Sequence, residues 1–111
     1  MADEVTDTEE LPATPTRFAT EQPAVWEAYG DLGKACSDAG PLDEETKRLV
    51  KLALAVGAQS EGAVHSHARR GLDEGLDSET LQHVATLSIT TLGFPKAMAA
   101  RTWIGDVIDE E

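Results

Sequence analysis

Between Leu49 and Val56 the chain has almost no polar break, since Leu49, Val50, Leu52, Ala53, Leu54, Ala55 and Val56 leave only Lys51 to face water. No strict alternation runs through this segment. It follows Leu42-Asp43-Glu44-Glu45-Thr46 and ends at Gly57. The pattern predicts a helix over about 43–57 that is apolar on almost every side and so sits centrally. A helix of that kind needs others around it, and the rest of the chain supplies them.

Leu76-Asp77-Ser78-Glu79-Thr80 repeats the Leu, Asp, Glu and Thr of residues 42–46 at matching offsets, 34 positions later, with Val50 and Val84 matching further on. Each Asp is a natural N-cap, and the acids behind it favour the positive end of a helix. Two copies make a weak repeat of a helical hairpin and not a solenoid. Further helices are expected over about 21–37, with Pro23 near its first turn, and over 60–74, 78–92 and 95–108. Ser60 should cap the second of these, Gly75 should end it, and Gly93-Phe94-Pro95 should separate the last two. With no strand-like alternation, the fold class is all-α, a compact domain of five to six helices over residues 21–111. Residues 1–20 hold five acids, two prolines and five threonines without apolar periodicity, and read as a disordered acidic tail.

The 111 residues suffice for one small domain. Twenty-one acids against nine Lys and Arg give a net charge of −12, a surface that repels phosphate backbones and anionic lipid. Neither nucleic acid nor a membrane is an expected partner. Such acidity fits a halophilic protein, because molar salt screens self-repulsion to about 3 Å. The single cysteine, Cys36, excludes an intrachain disulfide and a dithiol couple, and is expected to be a small buried side chain. Met1-Ala2-Asp3-Glu4 is not the start of a signal peptide, and no apolar run approaches the roughly 20 residues that span a bilayer. A cytoplasmic protein is expected.

The chemistry-bearing segment is Ser60-Glu61-Gly62-Ala63-Val64-His65-Ser66-His67. On a helix, Ser60, Ala63 and His67 share one face, while Glu61, His65, Ala68 and Leu72 share another. His65 and His67 project about 200° apart and cannot chelate one ion from a single regular helix. Glu61 and His65, four apart, can form an acid–base pair or a solvated surface pair. Arg48 reads as a helix-surface arginine beside Glu44 and Glu45, as a partner of Glu61, or as a holder of an anionic ligand. His83 is either a partly exposed helical histidine or a second imidazole of the same pocket. Trp26 and Trp103 read as core or subunit-contact aromatics.

The order of apolar helix, turn and histidine helix ending in Glu74-Gly75 resembles the carboxymuconolactone decarboxylase-like family, which includes the alkylhydroperoxidase D proteins. Redox members carry Cys-x-x-Cys-x-x-x-His, with a glutamate twelve residues before the first cysteine. Aligned on His67, those positions hold Ser60, Ala63 and Arg48 here. The resemblance covers about residues 23–108 and is closest to a cysteine-free branch. Members of that branch keep segments like residues 60–67 and like Thr91-Leu92-Gly93-Phe94-Pro95-x-x-Met98-Ala99-Ala100.

The resemblance implies a homo-oligomer, a trimer or a hexamer of trimers, with the histidine helix lining a pocket near a subunit interface. The expected site has Glu61, His65 and His67 as its acid–base groups. Arg48, His83 and Phe94 would close it around a small-molecule ligand. Glu61 and His65 could hold a divalent metal if subunits bring such pairs together, and no other cofactor is indicated. Thiol peroxidase or peroxiredoxin chemistry, the family's obvious label, lacks its sulfurs. Proton-transfer chemistry of the decarboxylase kind and a non-catalytic ligand-binding scaffold both stay open.

Overall fold

The computed structural model of the protein describes residues 13–110. Its helices are α1 (Ala13–Glu21), α2 (Pro23–Asp38), α3 (Glu44–Gly57), α4 (Glu61–Asp73), α5 (Ser78–Leu92) and α6 (Phe94–Asp109). The described residues contain no strand. The chain divides into two units, residues 1–41 with α1 and α2, and residues 42–111 with α3 to α6.

In the first unit, α2 opens with Pro23 in its first turn, where a missing N–H leaves no bond unmade. Helix α1 lies inside the segment expected to be a disordered tail, and corrects that expectation for residues 13–20. Pro15 falls in its first turn, where it is tolerated, and Phe18 sets its ring edge-on to Trp26 with centroids 6.5 Å apart. Trp26 in turn lies 6.3 Å from Tyr29. The acidic residues 1–12 lie outside the described residues. Cys36 is exposed, not buried as expected. The buried positions of α2 are Gly30 and Gly33, whereas Cys36 continues the exposed row of Val25, Tyr29 and Leu32, spaced four, three and four residues apart.

The second unit is built on local signals that act as the sequence implied. Asp43 and Asp77 each cap a helix by accepting the N–H of the Thr three residues on, Thr46 and Thr80, both at 2.8 Å. Hydrogen bonds from the Thr46 side chain and then its backbone hold the Asp43 carboxyl below its ordinary value. The backbone and then the side chain of Thr80 do the same for Asp77. Ser60 caps α4 through the N–H of Ala63 at 3.4 Å. After α4, Gly75 takes φ +98°, and the N–H groups of Gly75 and Leu76 close back on the carbonyls of Leu72 and Gly71.

Leu52, Val56, Val64, Leu81, Ile104 and Val107 form the core, with Ala55, Ala68, Ala85 and Ala100 filling the narrower gaps. Helix α3 is less enclosed than its composition implied. Within the unit it packs on α4, α5 and α6, and its far side leaves Val50 and Leu54 exposed. Helices α4 and α6 run in the same direction. His65 meets Asp106 and Arg69 meets Glu110, and both pairs are 41 residues apart. No helix of the described residues is long and apolar enough to cross a membrane.

Candidate functional site

Two polar clusters flank α4, one on each side, because His65 and His67 diverge as the helical geometry requires. On the α3 side, His67 is only 2% exposed and its Nδ1 lies 2.8 Å from Nη1 of Arg48. A guanidinium can only donate, so Nδ1 is the acceptor and the ring carries its hydrogen on Nε2. Arg48 is itself buried, and its Nε and Nη2 donate to the two carboxylate oxygens of Glu74 at 2.9 and 2.8 Å. The fork-to-fork geometry is the strong form of this pair. Arg48 is therefore neither a surface arginine beside Glu44 and Glu45 nor the partner of Glu61. Its side chain is drawn inward past Gly71, where an added Cβ would stand 3.6 Å from Arg48 Cγ and 2.9 Å from Leu81 Cδ2.

On the α6 side, Nε2 of His65 lies 3.1 Å from Oδ2 of Asp106. Glu61 joins them from the first turn of α4, where the helix dipole favours a carboxylate. One donor atom from each of Glu61, His65 and Asp106 falls within 4.8 Å of the others. His65 is half-buried, while both acids are exposed, so the cluster opens to solvent. One turn further along the same seam, Arg69 holds Glu110 through contacts of 3.1 and 3.2 Å. The arrangement offers two carboxylates and an imidazole, a set that can pass protons or coordinate a cation.

The structure thus brings Glu61 and His65 together and sends His67 and Arg48 into a separate buried cluster. His83 stands exposed on α5, beside an apolar groove of about 510 Å³ between α3 and α5, lined by Leu49, Val50, Ala53, Val84 and Leu87 among others. Phe94 opens α6 and is 60% exposed. Asp106 and Glu74 are the members of these clusters that the sequence reading passed over. Asp106 was detectable as an acid between Trp103-Ile104 and Val107 on an otherwise apolar stretch. Its partner, 41 residues away, was not.

Against known proteins, the model of the carboxymuconolactone decarboxylase family matches residues 23–106. The fold is similar to the crystal structure of an apo-form carboxymuconolactone decarboxylase family protein from Legionella pneumophila. The TM-score is 0.78 at 24% identity, over 96% of each chain. No match is found among curated proteins.

Proposed function

Since this chain belongs to the carboxymuconolactone decarboxylase family, we propose that it is a member of a cysteine-free branch that performs proton transfer on a small carboxylated ligand. Glu61, His65 and Asp106 are its working groups. The observation that carries this reading is the His65–Asp106 contact at 3.1 Å, with Glu61 within reach of both and solvent access to all three. A carboxylate bonded to an imidazole fixes its tautomer and orients it, leaving the second carboxylate to accept or return a proton. His67 supports this site from behind, held by Arg48, and touches no substrate. Ser60 is occupied as a helix cap and the exposed Cys36 sits on α2, so thiol peroxidase chemistry is not the working reading.

The site would be completed in a homo-oligomer, a trimer or a hexamer of trimers, functioning in the cytoplasm of a halophilic cell. Exposed Leu54, Leu87 and Phe94 supply apolar surface of the kind that subunit contacts cover. The test is hydrogen–deuterium exchange next to the carboxylate of small carboxylated lactones, followed by NMR for wild type, His65→Ala and Glu61→Gln. The expected result is a loss of about 100-fold or more in either variant. Equal rates in all three proteins would remove the proposal. A second reading, a non-catalytic ligand-binding oligomer, draws its support from the apolar groove between α3 and α5. It predicts ligand binding that is indifferent to His65.

A further inference from the structure

We infer that Glu61, His65 and Asp106 together bind one divalent first-row transition-metal ion per chain. The inference rests on the same cluster as the proposed function and names its cofactor.

Glu61 and His65 are four apart on α4, and Asp106 reaches the pair from α6, so the three donors come from two helices and not from one flexible loop. Their ligand atoms already lie within 4.8 Å of one another. Around an ion with bonds of roughly 2.0–2.2 Å, donor atoms sit about 3–3.5 Å apart. The His65–Asp106 separation of 3.1 Å already has that value. Only Glu61 has to close in, and it is exposed and free to change rotamer.

The neighbouring rung fixes this spacing. Arg69 and Glu110 pin α6 to α4 one turn beyond the cluster, in the same register. They also satisfy each other's charge, so Arg69 is engaged away from the cluster and leaves it two net negative charges, the match for a dication. His65 would coordinate through Nε2, with its ring hydrogen on Nδ1 and the Nε2–Asp106 contact replaced by two bonds to one ion.

The donor set selects the ion. One imidazole and two carboxylates suit Zn, Mn, Fe(II) or Co(II). The lack of sulfur disfavours Cu(I), and an imidazole ligand disfavours Ca and Mg. Three protein ligands leave at least one coordination position open, the pattern of a catalytic and not a structural centre.

The test uses chelator-treated full-length protein with Zn²⁺ and Mn²⁺ as probes, in excess Mg²⁺ to occupy diffuse sites on the acidic surface. Equilibrium dialysis should find one ion per chain, and His65→Ala, Asp106→Asn and Glu61→Gln should each weaken it by about tenfold or more. In NMR spectra, Zn²⁺ should shift the imidazole signals of His65 and leave those of His83 in place. Glu61→Gln changes an exposed position, so it reads coordination even if Asp106→Asn fails to fold. Binding without saturation at one per chain, or binding unchanged in His65→Ala, would overturn the inference. If zinc binds through His65 while proton exchange ignores it, the acid–base reading falls and the metal site stands. If no ion binds yet His65→Ala abolishes exchange, the reverse holds.

Discussion

Arg48 donates to Nδ1 of His67 across 2.8 Å, and the contact turns the histidine at the family's motif position into a buried acceptor. His67 lies beneath the surface with its ring orientation set by a cation that Glu74 anchors in turn. His65, two residues earlier, faces the opposite way and meets solvent. One helix therefore carries a structural histidine and an available one.

Removing Glu74 leaves the buried Arg48 without its bidentate partner. Breaking a fully buried pair costs roughly 3–5 kcal/mol. Glu74 is nearly half exposed, which lowers the expectation for Glu74→Ala to about 2–3 kcal/mol. Arg48→Lys should lose most of the same stability, because an ammonium cannot satisfy both carboxylate oxygens and Nδ1 of His67 in one plane. Urea denaturation midpoints of the two variants check both values, and wild-type midpoints would refute the network's structural role.

Two glycines of α4 should respond oppositely to alanine. Gly62 has nothing within 4 Å of an added Cβ, so Gly62→Ala should stabilise by about 0.5 kcal/mol through helix propensity. At Gly71 the new methyl would meet Leu81 Cδ2 at 2.9 Å, and Leu81 is fully buried. Overpacking of that kind costs roughly 1–3 kcal/mol, enough to outweigh the propensity gain. Gly71→Ala should therefore lower the thermal midpoint, and Leu81→Val on that background should restore part of it.

The two aspartate caps predict an acid limb in the stability curve. Both carboxyls sit below the ordinary value of 3.8 in the folded chain, so their stabilisation is complete above that value. It is lost as pH falls through the lowered folded values. Asparagine caps a helix without titrating. The double variant Asp43→Asn, Asp77→Asn should thus show a shallower fall in stability between about pH 4 and pH 2 than wild type, measured by denaturant titration at each pH.

Cys36 should react with a thiol reagent at one equivalent per chain without denaturant, and Cys36→Ser should leave any hydroperoxide turnover unchanged. If the thiol is instead protected in an oligomer and becomes reactive on dissociation, the row Val25, Tyr29, Leu32 and Cys36 is a subunit contact. Light scattering at low and at molar salt supplies the assembly state for that comparison. A trimer or hexamer favoured by salt is the expected result, since acidic subunits repel one another when unscreened.

What the sequence revealed was local. The caps at Asp43, Ser60 and Asp77, the break at Gly93 and the left-handed Gly75 each depend on residues within a turn or two, and helix bounds followed to within about two residues. The divergence of His65 and His67 was legible for the same reason. The partners of Arg48 lie 19 and 26 residues away on another helix, and Asp106 lies 41 from His65. No periodicity encodes which faces of non-adjacent helices meet. Composition also misled at α1, where the Thr- and Pro-rich run hid a helix docked by Phe18 on Trp26.

The shared offset of the His65–Asp106 and Arg69–Glu110 rungs makes the seam between α4 and α6 behave as a keyed lock. Sliding α6 by one turn toward the end of α4 would set Asp106 against Arg69, but it would press Glu110 toward Asp73. Sliding it the other way would set Glu110 against His65 and drive Asp106 onto Glu61. Each slip places two acids together, at a cost comparable to the pairing it keeps. Only the observed alignment gives both acids of α6 a basic partner. The residues that make the cluster chemically useful are thus also the ones that forbid the two helices from settling one turn out of step.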